Sequence, residues 1–280
     1  MRPSLLGLDL DGTLLDGRSR LSPGNRAALD WCGRAGIRRA VVTGRSLFSA
    51  RTVMEAEFPV DYLLFSSGAG LVTWPGCRLL HRWQMPDLDA RAIARILLDE
   101  DLAFMAHRPV PRTHEFCYHE GANRRGDDFV SRVERYRPHT QALRGGLAGL
   151  PSGLSFFLVM LQPDMGYFER LVPRLSRFGS VVRSTSPIDG QSLWLEVYPR
   201  GVCKGSGLSW LSRLLLVPDG EVAVVGNDYN DLGMLQRFER AYVVGNAPEA
   251  LRRAYPLLPD NEHNPLAELV RPWQSGPTCP

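Results

Sequence analysis

Short apolar runs alternate with amphipathic stretches through the first part of the chain. The apolar runs at residues 5–8, 37–42 and 61–65 have the length of buried strands. Between them, apolar positions recur every three or four residues, which is the spacing of one face of a helix. Ser22 before Pro23 marks a helix start, because serine caps helix N-termini and proline suits the first helical position. This alternation predicts βαβ units and a parallel sheet.

The pattern changes after residue 82 and returns after residue 198. Between these points the chain shows two passes of a helix and short strand-like runs, which is typical of an α+β domain. We therefore predict a core domain formed by residues 1–82 and 199–280, with residues 83–198 as an inserted domain. Beyond the insert, a strand at 221–225 lies between two predicted helices, so the core sheet continues there.

Composition narrows the class of partner. The chain has 280 residues, with 33 basic and 30 acidic side chains and a formal net charge of +3. Charges this close to balance argue against nucleic acid or an anionic membrane as the main partner. No apolar run approaches the ~20 residues of a membrane span, and the first residues do not resemble a signal peptide. The five scattered cysteines lack paired spacing, so we expect a cytoplasmic protein with reduced thiols.

Two carboxylates stand where the first strand ends. Asp9 and Asp11 are one residue apart and are followed by Gly12 and Thr13. Alternate residues of a strand point to the same side, so these two carboxylates would lie together. Two like charges at that distance repel unless a cation or a proton lies between them. The pair therefore indicates a cation site, with a plain polar turn as the alternative interpretation.

Three further polar stretches follow later strands or open a later helix. They are Thr43-Gly44-Arg45, Lys204, and a final stretch that contains Asn227, Asp228, Asn230 and Asp231. Ligands of parallel sheets bind beyond the carboxyl ends of the strands, so we expect these stretches at one edge of the sheet.

In this order and spacing, the four stretches resemble the haloacid dehalogenase-like (HAD) phosphohydrolase superfamily. The long insert resembles the type IIB cap of its Cof-like members. The resemblance implies an α/β fold, with a Rossmannoid parallel-sheet core and an inserted α+β cap domain of type C2B that selects the substrate.

The resemblance also implies a role for each residue. Asp9 would be the nucleophile that forms an aspartyl-phosphate, and Asp11 the general acid and base. Mg²⁺ would bind the Asp9 carboxylate and the Asp11 backbone carbonyl, since this ion prefers oxygen ligands. Asp231 would support the site. The residues predicted to bind the substrate's phosphoryl group are Thr43, Gly44, Arg45, Lys204 and Asn230. Arg45 could instead cap the helix that follows it.

The final stretch departs from the family pattern Gly-Asp-x-x-Asn-Asp. Asn227 stands where the family has a metal-binding Asp, and Asp228 comes next. Either Asn227 lies near Mg²⁺ and offers its amide oxygen, or Asp228 takes over the ligation. Ser67 is a second departure, because related sequences usually carry there an Asn that lines the pocket.

These features predict a Mg²⁺-dependent phosphatase that hydrolyses a small phosphomonoester, a sugar phosphate or a similar metabolite. A phosphotransferase or phosphomutase on the same scaffold would use the same residues, and a non-catalytic phosphometabolite-binding protein is favoured only by Asn227. The expected partner is a small phosphorylated metabolite rather than nucleic acid or a membrane, and the chain would be a monomer or a homodimer.

The histidines of the insert, including His107 and His119, match no zinc spacing and are expected at the surface or on edge strands.

Overall fold

The computed structural model describes residues 2–123, 128–185 and 192–275. Contacts along the chain divide it into two compact units. The first unit comprises Met1–Arg45, Ala50–His81 and Lys204–Pro280, and the second comprises Ser46–Ser49 and Arg82–Cys203. The parallel-sheet core and the α+β insert that the sequence predicts are both present. That the second unit selects the substrate stays a prediction.

The secondary structure follows the chain in this order. The strands are β1 (Leu5–Leu8), β2 (Arg38–Val42), β3 (Tyr62–Phe65), β4 (Gly70–Thr73), β5 (Leu79–Arg82), β6 (Phe104–His107), β7 (Phe116–His119), β8 (Thr140–Ala142), β9 (Phe156–Leu161), β10 (Ser180–Thr185), β11 (Leu193–Tyr198), β12 (Val222–Gly226), β13 (Arg240–Val244) and β14 (Leu257–Leu258). The helices are α1 (Pro23–Arg34), α2 (Leu47–Ala50), α3 (Asp87–Asp99), α4 (Asp128–Arg135), α5 (Met165–Leu175), α6 (Lys204–Leu214), α7 (Leu232–Leu235), α8 (Glu249–Ala254) and α9 (Pro265–Gln274).

The first unit is built on a sheet of order β14-β13-β12-β1-β2-β3-β4-β5. Strands β14 to β3 run parallel, and β4 returns antiparallel to β3. Strand β1 lies in the middle, hydrogen-bonded to β12 on one side and to β2 on the other. All four residues of β1 are buried, as expected for a parallel strand covered on both faces. The end of β1 therefore lies at the centre of the sheet's carboxyl edge.

Helix α1 begins as the sequence predicts. Ser22 caps it by accepting a hydrogen bond from the Asn25 backbone N–H, and Pro23 takes the first helical position. The buried Asn25 side chain then donates to the Leu14 carbonyl and accepts from the Leu266 backbone N–H. One amide thus ties the segment after β1 to the start of α9.

Strands β4 and β5 extend the sheet beyond β3, and neither was predicted from the sequence. Each has four residues, and the stretch between them contains Trp74-Pro75 and Gly76. Runs this short, separated by proline and glycine, carry too little periodicity to predict a strand.

The second unit contains a sheet of order β10-β11-β9-β6-β7-β8, antiparallel except for the β7–β8 pair. Helices α3 and α5 supply Ile93 and Leu171 to an apolar core with Phe157 and Leu195 of the sheet. Side chains alternate along a strand, so the neighbours of these sheet residues point to the opposite face. That opposite face carries aromatic and polar groups, including Glu196.

The expectation that the insert's histidines lie at the surface or on edge strands is wrong for His107. This residue lies on the interior strand β6 and is fully buried, with its ring stacked on Phe156 at a centroid distance of 4.1 Å. Its Nδ1 lies 2.7 Å from the Thr113 carbonyl, so Nδ1 carries a hydrogen and donates to that oxygen. Burial lowers the pKa of His107 to about 3, because the charged imidazolium would lose its hydration.

No helix of the described residues combines the length and the apolar character that crossing a membrane requires. Within the same ranges, Cys32, Cys77, Cys117 and Cys203 form no disulfide. Cys279 lies outside the described residues.

The buried His107 should make the folding stability of the second unit sensitive to acid. The unfolded chain binds a proton near the ordinary histidine pKa of 6.5 while the folded chain resists it down to about pH 3, so stability falls as the pH drops below 6.5. One such group lowers the free energy of unfolding by about 1.4 kcal/mol for each pH unit below 6.5, or by about 2 kcal/mol at pH 5. His107→Gln should be less stable than the wild-type chain at pH 7.5. In urea unfolding at several pH values, however, its free energy of unfolding should depend less steeply on pH, by the amount that corresponds to about one proton. The partly exposed His119→Gln serves as the control, and an unchanged slope in His107→Gln would contradict the assignment.

Candidate active site

Asp9 lies directly beyond β1 and continues its pairing with β12. Its backbone N–H donates to the Val225 carbonyl at 3.0 Å, and only 4% of the residue is exposed. One carboxylate oxygen, Oδ1, accepts from Lys204 Nζ at 2.7 Å, and the other, Oδ2, accepts from Thr13 Oγ1 at 3.0 Å. Both oxygens are therefore fixed in direction before any ligand binds.

Lys204 is the first residue of α6 and is buried inside the first unit. Besides Asp9, its ammonium donates to Asp231 Oδ1 at 2.6 Å and to Asn230 Oδ1 at 3.2 Å. An ammonium group has three donors, and these three acceptors use all of them. Burial opposes the charge, but the carboxylates of Asp231 and Asp9 outweigh it and raise the pKa of Lys204. We therefore describe Lys204 as a permanently charged group.

Asp231 organises the loop that follows β12. Its Oδ2 accepts from the backbone N–H groups of Asn227, at 2.7 Å, and of Asp228, at 3.1 Å, while Oδ1 binds Lys204. In return, the Asp228 side chain accepts the Asp231 backbone N–H, which forms a capping box. The Asp228 carboxylate thus caps this turn.

Gly12 makes room for Asn227 beside the Asp9–Asp11 turn. Its φ of +69° is one that glycine adopts without strain. A Cβ at Gly12 would come within 2.3 Å of Asn227 Nδ2. Asn246 Nδ2 also donates to the Gly12 carbonyl at 2.9 Å. The Asn227 amide therefore packs against this turn.

Asp11 and Arg45 form a two-pronged ion pair at the rim. Arg45 Nε lies 2.7 Å from Asp11 Oδ2 and Arg45 Nη2 lies 2.6 Å from Asp11 Oδ1. The Asp11 side chain is 44% exposed, in contrast to the buried Asp9. Arg45 also uses its backbone N–H to reach Thr43 Oγ1 at 3.1 Å. The sequence suggested that Arg45 binds the phosphoryl group or caps the following helix, and its contact with Asp11 was not predicted.

The loop after β3 packs against the Thr43 turn. Ser67 is buried, and its backbone N–H donates to the Thr43 carbonyl at 2.9 Å. Its φ of +50° is unusual for a residue other than glycine. A Cβ at Gly44 would lie 3.6 Å from Ser67 Oγ and 4.0 Å from Asn230 Nδ2. Thr43 and Gly44 thus lie beside Ser67, and Asn230 lies next to Gly44.

Burial raises the pKa of Asp9 to about 7, and the nearby charge of Asp231 acts in the same direction. Lys204 opposes the shift but does not cancel it. A cation beside Asp9 would favour the ionised carboxylate, because an opposite charge stabilises it.

The chemistry of the oxygen atoms at this edge would suit a magnesium ion. Within the described residues, no group of three or more His, Cys, Asp or Glu side chains is arranged to hold a metal. The oxygen atoms that the resemblance implies as ligands are those of the Asp9 carboxylate, the Asp11 backbone carbonyl and the side-chain amide of Asn227, whose Nδ2 lies against Gly12. These are all oxygen donors and few in number, which suits Mg²⁺ because it retains several waters.

Comparison with known proteins identifies the family. The model of the haloacid dehalogenase-like hydrolases matches residues 6–269. The chain belongs to this family.

Among relatives of this family, 5-amino-6-(5-phospho-D-ribitylamino)uracil phosphatase YwtE of Bacillus subtilis is 24% identical, and the match covers 97% of this chain and 98% of that protein. Pyridoxal phosphate phosphatase YbhA of Escherichia coli is 22% identical over 96% of this chain and 98% of its own length. These named phosphatases confirm the prediction of a hydrolase that acts on phosphomonoesters.

Solved structures agree with the predicted fold. BT1666 from Bacteroides thetaiotaomicron superposes with a TM-score of 0.78 at 18% identity, covering 98% of this chain and 96% of that one. The HAD subclass IIB sugar phosphatase BT4131 superposes with a TM-score of 0.75 at 13% identity, covering 97% and 99%. The predicted HAD fold with a subclass IIB insert is confirmed.

Thr13 and Asn246 contact the site but are not among the residues predicted for it, and a further signal in the composition points to Lys204. Lys204 is the one lysine among the 33 basic residues of the chain, and the other 32 are arginines. A chain that uses arginine everywhere else keeps a compact ammonium group here, where three acceptors converge on one nitrogen. That composition was the available signal. Asn246, by contrast, is one of many polar residues in loops and carries no sequence signal.

Lys204 should be essential to the stability of the first unit. Lys204→Met would leave the buried carboxylates of Asp9 and Asp231 without their cation, which we expect to cost about 3–5 kcal/mol of unfolding free energy. Urea unfolding at pH 7.5 measures this loss. Arg213→Met, at the exposed end of the same helix, should change stability by less than about 0.5 kcal/mol. A Lys204→Met chain as stable as the Arg213→Met control would contradict the described geometry.

Proposed function

We propose that the chain hydrolyses a small phosphomonoester in a Mg²⁺-dependent reaction that passes through an aspartyl-phosphate on Asp9. The observation that carries the proposal is the fixed Asp9 carboxylate, held by Lys204 on one oxygen and by Thr13 on the other. A nucleophile held in one direction avoids the entropic cost of orientation during attack. The substrate class is a sugar phosphate or a similar metabolite, in keeping with the phosphorylated compounds in the names of the relatives.

In this proposal the residues around Asp9 bind the phosphoryl group. Thr43 offers a hydroxyl, Asn230 an amide, and Lys204 a charge that is shared between the nucleophile and the phosphoryl oxygens. Preorganised donors of this kind stabilise the charge that spreads over these oxygens in the transition state. Asp9, the Asp11 carbonyl and Asn227 would hold Mg²⁺, which neutralises phosphoryl charge when it is bound.

Asp11 is proposed as the group that protonates the leaving oxygen and later takes a proton from water. Both of its carboxylate oxygens accept hydrogen bonds from Arg45 in the described conformation. One of these contacts must open before Asp11 can carry a proton to the leaving group. Arg45 would then be released to contact the substrate's oxygens, which combines its observed pairing with the predicted binding role.

The catalytic role of Asp9 is tested by replacing it and by replacing other carboxylates on the same segment. Asp9→Asn should lower Mg²⁺-dependent hydrolysis of 4-nitrophenyl phosphate by at least about 10³-fold, because an amide is a poor nucleophile. Asp11→Asn should also lose most activity, since it removes the proton donor, and general acid–base catalysis contributes about 10²–10⁴-fold. Asp16→Asn, on the same segment, is the control and should keep its activity. Wild-type activity in Asp9→Asn would refute the mechanism.

A second measurement distinguishes hydrolysis from phosphotransfer. A phosphatase releases phosphate when no sugar acceptor is present, whereas a phosphotransferase does not.

The residues proposed to hold Mg²⁺ are tested by measuring how tightly variants bind this ion. Asn227→Asp adds a negative charge at the proposed site and should tighten Mg²⁺ binding about tenfold, because cation affinity rises with the number of charged ligands. Asp228→Asn keeps a side chain that can cap the turn and should leave Mg²⁺ affinity unchanged. Calorimetric titration of each purified protein with MgCl₂ measures both effects. The reverse pattern, with Asp228→Asn weakening Mg²⁺ and Asn227→Asp having no effect, would assign the ligation to Asp228.

A further inference from the structure

The turn that follows Asp11 is held by two asparagine side chains that come just after β13 and β14, at the same edge of the sheet. Asn246 Nδ2 donates to the Gly12 carbonyl at 2.9 Å. Asn261 Nδ2 donates to the Leu15 carbonyl at 3.0 Å. The backbone of Leu15 forms an isolated β-bridge with that of Asp11. The two amides therefore fix the backbone on the carboxyl side of Asp11 at two points.

The two asparagines are joined to each other, and a carboxylate beside them adds a third contact. Asn246 Oδ1 accepts from the Asn261 backbone N–H at 3.3 Å. Glu262 Oε1 accepts from the Gly17 backbone N–H at 2.7 Å. We call the side chains of Asn246, Asn261 and Glu262 the amide clamp. The clamp holds residues 12–17 through two donors to carbonyls and one acceptor for an N–H.

Two glycines let the loop that carries Asn261 and Glu262 approach its neighbours closely. A Cβ at Gly17 would lie only 3.1 Å from Glu262 Oε1, and a Cβ at Gly245 would lie 3.0 Å from the Asp260 backbone nitrogen. Both distances are shorter than an ordinary contact between nonbonded atoms, so a side chain at either position would push the loop away. The loop is therefore fixed by packing as well as by hydrogen bonds.

The clamp lies at the surface, unlike a third amide that holds the same turn. Asn246 and Glu262 are exposed and Asn261 is half-buried, whereas Asn25, which donates to the Leu14 carbonyl, is fully buried. Removing a buried, hydrogen-bonded amide is costly, but hydrogen bonds at the surface contribute little to stability because water competes for both groups. The fold should therefore tolerate the loss of the clamp, and a role in positioning can be measured separately from stability.

Asp11 needs support from its backbone because its side chain is only partly enclosed. The side chain is 44% exposed, and the proposed reaction requires one of its contacts with Arg45 to open. The backbone then determines where the carboxyl group can reach. A general acid must come within hydrogen-bond distance of the oxygen that it protonates. A displacement of about 1 Å can lower a rate about 10²-fold.

We propose that the amide clamp positions Asp11 for proton transfer to the leaving group, with Asn246 and Asn261 as positioning residues. The proposal rests on the proposed function, in which Asp11 is the general acid. The clamp acts through the backbone of residues 12–15 and leaves the nucleophile Asp9 in place. Its loss should therefore slow the reaction most for a substrate whose leaving oxygen most needs a proton.

The experiment measures how activity depends on the leaving group. The variants Asn246→Ala, Asn261→Ala and Asp11→Asn are assayed with Mg²⁺ on phenyl phosphate and on 4-nitrophenyl phosphate. Phenolate is the more basic leaving group, so its departure depends more on protonation. The readout is the ratio of kcat/KM for phenyl phosphate to that for 4-nitrophenyl phosphate, from which partial unfolding of a variant cancels. His263→Ala is the matched control, because this ring lies in the same loop and pairs with Asp260.

We expect Asp11→Asn to lower this ratio at least tenfold, and Asn246→Ala and Asn261→Ala to lower it about threefold to tenfold each, mainly through kcat. The control His263→Ala should leave the ratio unchanged. Adding Asn261→Ala to Asp11→Asn should lower the ratio no further, because the clamp acts through Asp11 and two residues that act as a unit are not additive.

Three results would overturn the proposal while leaving the proposed function intact. They are an unchanged ratio in both clamp variants beside a lowered ratio in Asp11→Asn, equal losses on both esters in the clamp variants, and a further fall of the ratio in the double variant. An unchanged ratio in Asp11→Asn would overturn the acid role of Asp11 and the clamp proposal with it. Failure of the wild-type chain to hydrolyse either ester would instead refute the proposed function.

Discussion

The first unit depends on one buried ion-pair arrangement, in which Lys204 lies between Asp9 and Asp231. All three groups lie where water is largely excluded, so each charge depends on the others to offset its lost hydration. This arrangement fixes three distant parts of the chain with respect to one another: the end of β1, the start of α6 and the turn after β12. The same contacts that stabilise the fold also direct the carboxylate of Asp9.

The turn after β12 shows how one carboxylate holds both the backbone and a buried cation. Asp231 accepts two backbone N–H groups with one oxygen and the Lys204 ammonium with the other. Asp228 completes the turn as its cap, and Asn227 is left beside Gly12. Asn227, which stands where the resemblance implies a metal-binding Asp, therefore lies against Gly12, while the side chain of its neighbour Asp228 caps the turn.

The parts that could be predicted from sequence have local or periodic causes. The spacing of Asp9 and Asp11, the Ser22 cap and the alternation of β and α segments each follow from a few neighbouring residues. Features that depend on long-range packing could not be predicted: the pairing of Arg45 with Asp11, the burial of His107 on an interior strand, and the short strands β4 and β5. No local signal distinguishes a buried histidine from an exposed one when both lie on strands of similar composition.

The most direct test of the aspartyl-phosphate mechanism is the location of the phosphoryl group during turnover. The wild-type chain is mixed with a phosphomonoester and Mg²⁺, quenched in acid within milliseconds, digested, and its peptides are sequenced by mass spectrometry. We expect a phosphorylated peptide with the modification on Asp9, and none in Asp9→Asn. Phosphorylation of a different residue, or steady hydrolysis with no phosphorylated peptide at any quench time, would contradict it.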